Sequence, residues 1–542
     1  MRSNKVTLGV LGLLGAAFAV FAQGARALPA AASAASALIA SPASPAPPAP
    51  APTADAVALE HAMRAHEMTL GLDYDDARRE LSQADQDDPA IQLERGRIAL
   101  YEADCDAAAQ ILARPEVAKT EAGAGLGDIA RGCARVIAAL VGDIDTANGV
   151  EIRYQDEADR AMTPLLVETV VKARDALTKD LGVSWPNPTR IIVVRDLLSL
   201  SAMTGLPYKS AQTTGTVAVA KWGRVTLLSP RASHHGYAWR DTMAHELTHL
   251  AVTRASQDRA PLWLQEGVAK RQEVRWREPG PFDDRPSPDS IVTRGSELGL
   301  AIPLDKLGPS IAMLPSADAA MVAFAEVTSF VRYFANTAGP EALPKLLAEL
   351  RAGKALDLAL HDASGADLKA WDARWRAYLA AKPREALPAL FGLGGEPPDM
   401  RDLRDRTRLA ELLVGRDHAP EALLELDRIK TPGALDDSSV RYLRARTLEA
   451  LGRAKDAEPL VAEPRDVLSP YAPWWAIRGR FARLRGDDAV ADPSFYEAVA
   501  IDPLDVESAC EGVDRESRPR DPRQEPLCDA SRAREEPGLG RD

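Results

Sequence analysis

Apolar positions recur every three to four residues over most of this chain, and every second residue in only a few short runs. Met243, Leu247 and Leu250 fall at i, i+4 and i+7, the stripe of a helix buried along one side. Leu262, Trp263 and Val268 mark a second helix within 260–270, with Pro261 suited to its first turn. Helical spacing also predicts helices over 158–180, 317–336, 340–352, 356–360 and 365–381. Val150-Glu-Ile-Arg-Tyr154 alternates like a half-buried strand, and Arg190-Ile-Ile-Val-Val194 reads as a buried one. Residues 214–220 and 223–229 predict a strand pair around Lys221-Trp222. The stretch 278–296, rich in Pro, Gly and Asp, predicts a loop over a cleft. The middle of the chain therefore predicts an α+β domain: a small sheet, two helices, then a helical lobe. The flanks read differently. Residues 55–145 are helical throughout, and 401–510 repeat the same helix-turn-helix punctuation, with Gly415, Gly452 and Gly486 at the turns.

Composition narrows the class. Sixty-six Lys and Arg against 79 Asp and Glu give a net charge of −13. That balance argues against a nucleic-acid partner and against an electrostatic hold on anionic lipid. Residues 1–27 read as a signal peptide: Arg2 and Lys5 start it, an apolar run follows from Val6 to Ala22, and Ala25-Arg26-Ala27 is the cleavage site. The expectation is an exported, periplasmic or extracellular protein, with a membrane contact only if the leader stays uncleaved as an anchor. Residues 28–54 are an Ala/Pro-rich linker. The four cysteines fit export, and Cys105–Cys133 with Cys510–Cys528 is the simplest disulfide pairing.

The candidate chemistry lies in Asp241-Thr-Met-Ala-His-Glu-Leu-Thr-His-Leu250. His245 and His249 are four apart, so on a helix they share a face one turn from each other. That spacing suits two imidazoles on one metal ion. Glu246, beside the first ligand, is placed to act as a base on water. Zinc fits a set of three protein ligands with one position left over. Only eight histidines occur in 542 residues, so the pattern is not a product of composition. On the second helix Glu266 sits between Trp263-Leu264 and Gly267-Val268, where an unpaired carboxylate is costly. Asp258 and Glu273 are rival third ligands. His234 and His235 lie nearby in sequence but diverge by about 100° on a helix, so they do not join the trio.

H-E-x-x-H followed by W-L-x-E-G resembles the gluzincin zinc metallopeptidases, most closely their peptidase MA-like domain. The resemblance covers roughly 149–382. It implies His245, His249 and Glu266 as ligands of one Zn2+ per chain and Glu246 as catalytic general base. It also implies that a strand before the metal helix, here 214–220 or 223–229, pairs with an extended peptide substrate. An oxyanion-stabilising tyrosine is implied where this chain reads Ala323-Phe324-Ala325, and Phe324 has no proton to donate. Tyr333, Tyr237 and His235 are the substitutes by position. The flanks resemble tetratricopeptide repeats: Gly71, Ala77 and Asp88-Pro89 carry the pattern on one side. On the other, Gly452 and Gly486 stand one 34-residue period apart. The resulting layout is a signal peptide at 1–27, a linker at 28–54, repeats at 55–148 and a peptidase domain at 149–385. A linker at 386–400, repeats at 401–510 and a polar tail at 511–542 complete it. The expected function is an exported zinc peptidase acting on a peptide or protein, with a protein partner on the repeats. The alternative is a protein-binding scaffold whose zinc domain is structural or silent.

Overall fold

The computed structural model describes residues 54–535 except 139, 146, 184, 186–187, 234–235, 281–282, 284, 309, 389, 395–397, 465–470 and 511–524. Alternation builds the sheet. In β2 (Val150–Tyr154) residues 150, 152 and 154 are buried and 151 and 153 are not. β3 (Thr189–Val194) and β5 (Arg224–Leu228) are buried almost throughout. With β1 (Val141–Asp145) and β4 (Ala218–Lys221) they form one five-stranded sheet in the order β1-β2-β3-β5-β4. β2, β3 and β5 run parallel, while β1 and β4 lie antiparallel at the two edges. Trp222 (φ 55°) and Gly223 (φ 69°) make the two-residue turn between β4 and β5, with the positive φ values that a tight hairpin demands.

Three expectations from the sequence need correction. Residues 141–145 are strand, not helix. Asp145 accepts hydrogen bonds from the Asn148 backbone N–H (3.0 Å) and side chain (2.9 Å), closing a hairpin turn that the helical reading overlooked. The strand expected from 214 begins only at Ala218, because Tyr208–Thr214 is a helix ended by Gly215 in the left-handed region. The loop expected over 278–296 contains the helix Pro288–Glu297. Ser287 caps it by accepting from the Ser290 N–H, and proline occupies its first turn, where no donor is lost.

Two helices cross beneath the sheet. Trp239–Ser256 packs on the sheet and on Thr163–Leu181. Leu262–Gln272 packs on the long helix Ala317–Ala338. Gly267 permits that second contact: a Cβ there would stand 2.3 Å from Val331 Cγ2 and 2.6 Å from the Val327 carbonyl oxygen. Trp263 meets the edge of Phe330 at 5.2 Å, and Phe330 meets Trp375 at 5.7 Å.

Helix pairs precede and follow this domain. Ahead of it are Ala54–Leu70 with Tyr74–Leu81 and Pro89–Tyr101 with Cys105–Leu112, then Glu121–Ile137. A disulfide joins Cys105 to Cys133. These helices share one hydrophobic core with the sheet. Behind it, Pro398–Val414, Ala419–Asp427, Ser438–Ala450, Ala454–Val461 and Ala472–Leu484 build smaller clusters of their own. Gly452 and Gly486 sit at equivalent turns with φ of 71° and 77°. A second disulfide, Cys510–Cys528, ties Val506–Cys510 to Glu525–Glu535. Among the described residues no helix is long and apolar enough to cross a membrane. The leader at 1–27 and nearly all of the Ala/Pro-rich linker lie outside the described residues.

Candidate metal centre

The Trp239–Ser256 helix sets His245 and His249 one turn apart, with ring centroids 4.9 Å from each other. Leu262–Gln272 crosses it and delivers Glu266, whose Oε2 lies 3.6 Å from the Nε2 of both histidines. With bonds of about 2.0–2.2 Å, two ligand atoms of a tetrahedral zinc are roughly 3.3–3.5 Å apart, so the three atoms nearly frame one ion. His245 and Glu266 are 0% exposed and His249 1%. Both Nε2 atoms and all four carboxylate oxygens of Glu246 and Glu266 are buried without a hydrogen-bond partner among the described residues. Six orphaned polar atoms facing one another are costly in a protein interior, and a divalent cation would satisfy them. Ligand atoms of His245, Glu246 and His249 also lie within 4.8 Å of one another, which puts Glu246 beside the ion's position.

Electrostatics agree. Burial pushes the Glu246 carboxyl up to about 8; the His245 charge and the Ala220 backbone on edge strand β4 pull it down, and Glu266 pushes it further up. Burial works against a charged His245, but the Glu266 and Glu273 carboxylates beside its two nitrogens outweigh it and lift the imidazole to about 9. Burial brings His249 down to about 4, with Glu266 opposing. Positive charge is thus favoured at His245, between two carboxylates, and opposed by burial at His249.

Glu273, a rival ligand on sequence grounds, has another position. Its Oε2 is 3.1 Å from His245 Nδ1, on the opposite edge of the ring from Glu266. That contact assigns the proton to Nδ1 and leaves the Nε2 lone pair facing the centre. Lys270 in turn pairs with Glu273. Glu266 and Glu273 are seven apart and so share a helix face, a signal present in the sequence. Asp258 is not at the centre: it lies beyond the end of the first helix near Thr253 and Lys221, and burial raises its carboxyl to about 6.

The oxyanion candidates fare unevenly. Tyr237 is buried within electrostatic reach of Glu246, but its hydroxyl donates to the Leu228 carbonyl. Tyr333 packs against Trp371 and Tyr378 in the helical lobe, at centroid distances of 6.2 and 4.8 Å. Phe324 is buried in Ala317–Ala338. His235, like His234, lies outside the described residues. Sequence reasoning missed Gln265, which stands against His249. It also missed Asp241, which accepts from Trp276 Nε1 (2.9 Å) and from Arg277 Nη2 (2.7 Å). Neither has a signature beyond its place near the motif.

A mixed sheet with an antiparallel edge strand, above two helices that converge His, His and Glu, has the architecture of a metallopeptidase domain. Comparison with protein families bears this out at that level: residues 170–381 match the model of the Peptidase MA superfamily. The match takes in both helices and the helical lobe, and covers under half of the chain. No curated protein matches the sequence.

Proposed function

We propose that this chain is an exported zinc-dependent peptidase. The observation that carries the reading is Glu266 Oε2 at 3.6 Å from both imidazole Nε2 atoms, none of the three having a hydrogen-bond partner among the described residues. His245, His249 and Glu266 would hold the ion, and Glu273 orients His245. A bound zinc supplies Lewis acidity towards a carbonyl oxygen and a water molecule. Glu246 takes the proton of the attacking water on its carboxylate and passes it to the leaving amine. Edge strand β4, whose Ala220 backbone reaches Glu246, is the natural rail for an extended peptide. The signal-like leader and the two disulfides support export. The glycine turns of the flanking helix pairs support tetratricopeptide-like repeats.

One observation favours the alternative, a protein-binding scaffold with a silent metal centre. Phe324 has no hydroxyl, and Tyr237 commits its own to Leu228. Glu246→Gln separates the readings. In a peptide-library digest it keeps its zinc and cuts about 10²–10⁴-fold more slowly than the parent. Equal cleavage by the two proteins would reject the base role, and no cleavage by either would reject the peptidase reading.

A further inference from the structure

We propose that the C-terminal helical segment is a positioning part of the metal centre, acting through Tyr496 and Arg240 on the helix that carries both histidines. The inference rests on the zinc reading above. Arg240 is buried in the first turn of that helix, and each of its nitrogens is engaged. Nε donates to Thr169 Oγ1 (2.8 Å), Nη2 to Glu168 Oε2 (2.9 Å) and Nη1 to the Tyr496 hydroxyl (2.6 Å), 256 residues away in sequence. The guanidinium lies 4.6 Å over the Trp276 ring. Trp276 donates to Asp241, one helical turn before His245. A line of contacts thus runs from Tyr496 through Arg240 and Trp276 to Asp241, on the same helix as the first ligand.

A second contact lies just before the metal helix. The Ile501 carbonyl accepts from the Tyr237 N–H at 3.1 Å. Gly236, with φ of 71°, leaves no room there: a Cβ would stand 2.2 Å from the Ile501 oxygen. The helix Asp488–Ile501 therefore braces the start of the metal helix at two points, the Arg240 guanidinium and the Tyr237 backbone. The Tyr496 hydroxyl is the acceptor that fixes the outer end of Arg240. Without it the guanidinium loses its hold over Trp276, and the seating of Asp241 on the metal helix loosens.

The test uses the full-length protein loaded with Co2+, whose visible absorption reports ligand geometry, and follows cobalt loss to a chelator. Tyr496→Phe removes the hydroxyl and keeps the ring. It is expected to shift the cobalt bands and to speed release about tenfold, in the range seen when outer partners of metal ligands are removed. Phe495→Ala is the control. Phe495 packs in a small cluster with Ala482 and Ala491, so its loss lowers the melting temperature of the C-terminal helices and leaves the bands and release rate alone. Parent-like bands and release rate in Tyr496→Phe would overturn the inference while leaving the zinc reading intact. A parent protein that takes up no cobalt overturns the zinc reading and this inference together.

Discussion

The two helical flanks have the same local grammar and different relations to the centre. The N-terminal helices bury Ala58, Leu72, Tyr74 and Leu81 in the same cluster as Trp263 and Phe330. Arg224, fully buried on β5, donates to the Leu100 carbonyl of the flank and, at 3.4 Å, to that of Met203. Trp222, at the tip of the β4–β5 hairpin, lies 6.3 Å from Tyr101. The helices from 398 to 484 instead gather residues such as Trp474, Ile477 and Phe481 into clusters of their own. Beyond them, Asp488–Ile501 and Glu525–Glu535 meet the central domain, and Val499, Leu504, Ala509 and Leu527 join its core. Helix-turn-helix spacing thus specifies a local pairing, and the large side chains at the boundary decide whether the pair joins the central core.

That contrast can be broken by calorimetry. Leu81→Ala and Ile477→Ala each open a cavity at a site at most 2% exposed and cost about 2–5 kcal/mol. Leu81→Ala is expected to lower the transition of the peptidase domain and N-terminal flank together. Ile477→Ala is expected to lower a separate, C-terminal transition. A single transition moved equally by both would show that the flanks are coupled alike.

Gly267→Ala tests the central core itself. The added methyl forces Leu262–Gln272 away from Val327 and Val331, at about 1–3 kcal/mol, and carries Glu266 with it. Zinc affinity is expected to fall alongside stability in a metal titration. A variant with parental affinity would mean that Glu266 is not held by this packing.

The smallest effect is pH-dependent. Glu326 accepts from the Ile302 N–H at 3.1 Å, and its other oxygen is buried without a partner. Burial raises its carboxyl from 4.5 to about 7. A raised carboxyl contributes stability that is full below about 4.5 and lost as pH climbs through about 7. Between those limits the peptidase transition should lose roughly 1–3 kcal/mol, and Glu326→Gln should flatten the slope. The C-terminal transition should not follow it. An unchanged slope in Glu326→Gln would remove this carboxyl from the account.

The centre was more legible than its surroundings. H-E-x-x-H needs only the helical period to bring His245 and His249 together, and Trp263 and Gly267 signalled that Glu266 is drawn inward. Alternation likewise announced β2, and a continuous apolar run announced β3. Pairing between distant segments was not legible. β1 exists because Asp145 and Asn148 close a turn onto β2, and Pro288–Glu297 starts at a serine cap hidden among prolines. The partners of Arg240 lie about 70 residues before it and 256 after it, and no period connects them. Tyr237 looked free in the sequence because its acceptor is a backbone carbonyl.

The most direct test is the zinc content of the purified, dialysed chain measured beside Glu266→Gln. The account predicts about one zinc per chain in the parent and a marked loss in the variant, whose neutral amide is a poor ligand. A parent without zinc, or a variant that retains all of it, would contradict the convergence of His245, His249 and Glu266 on one ion.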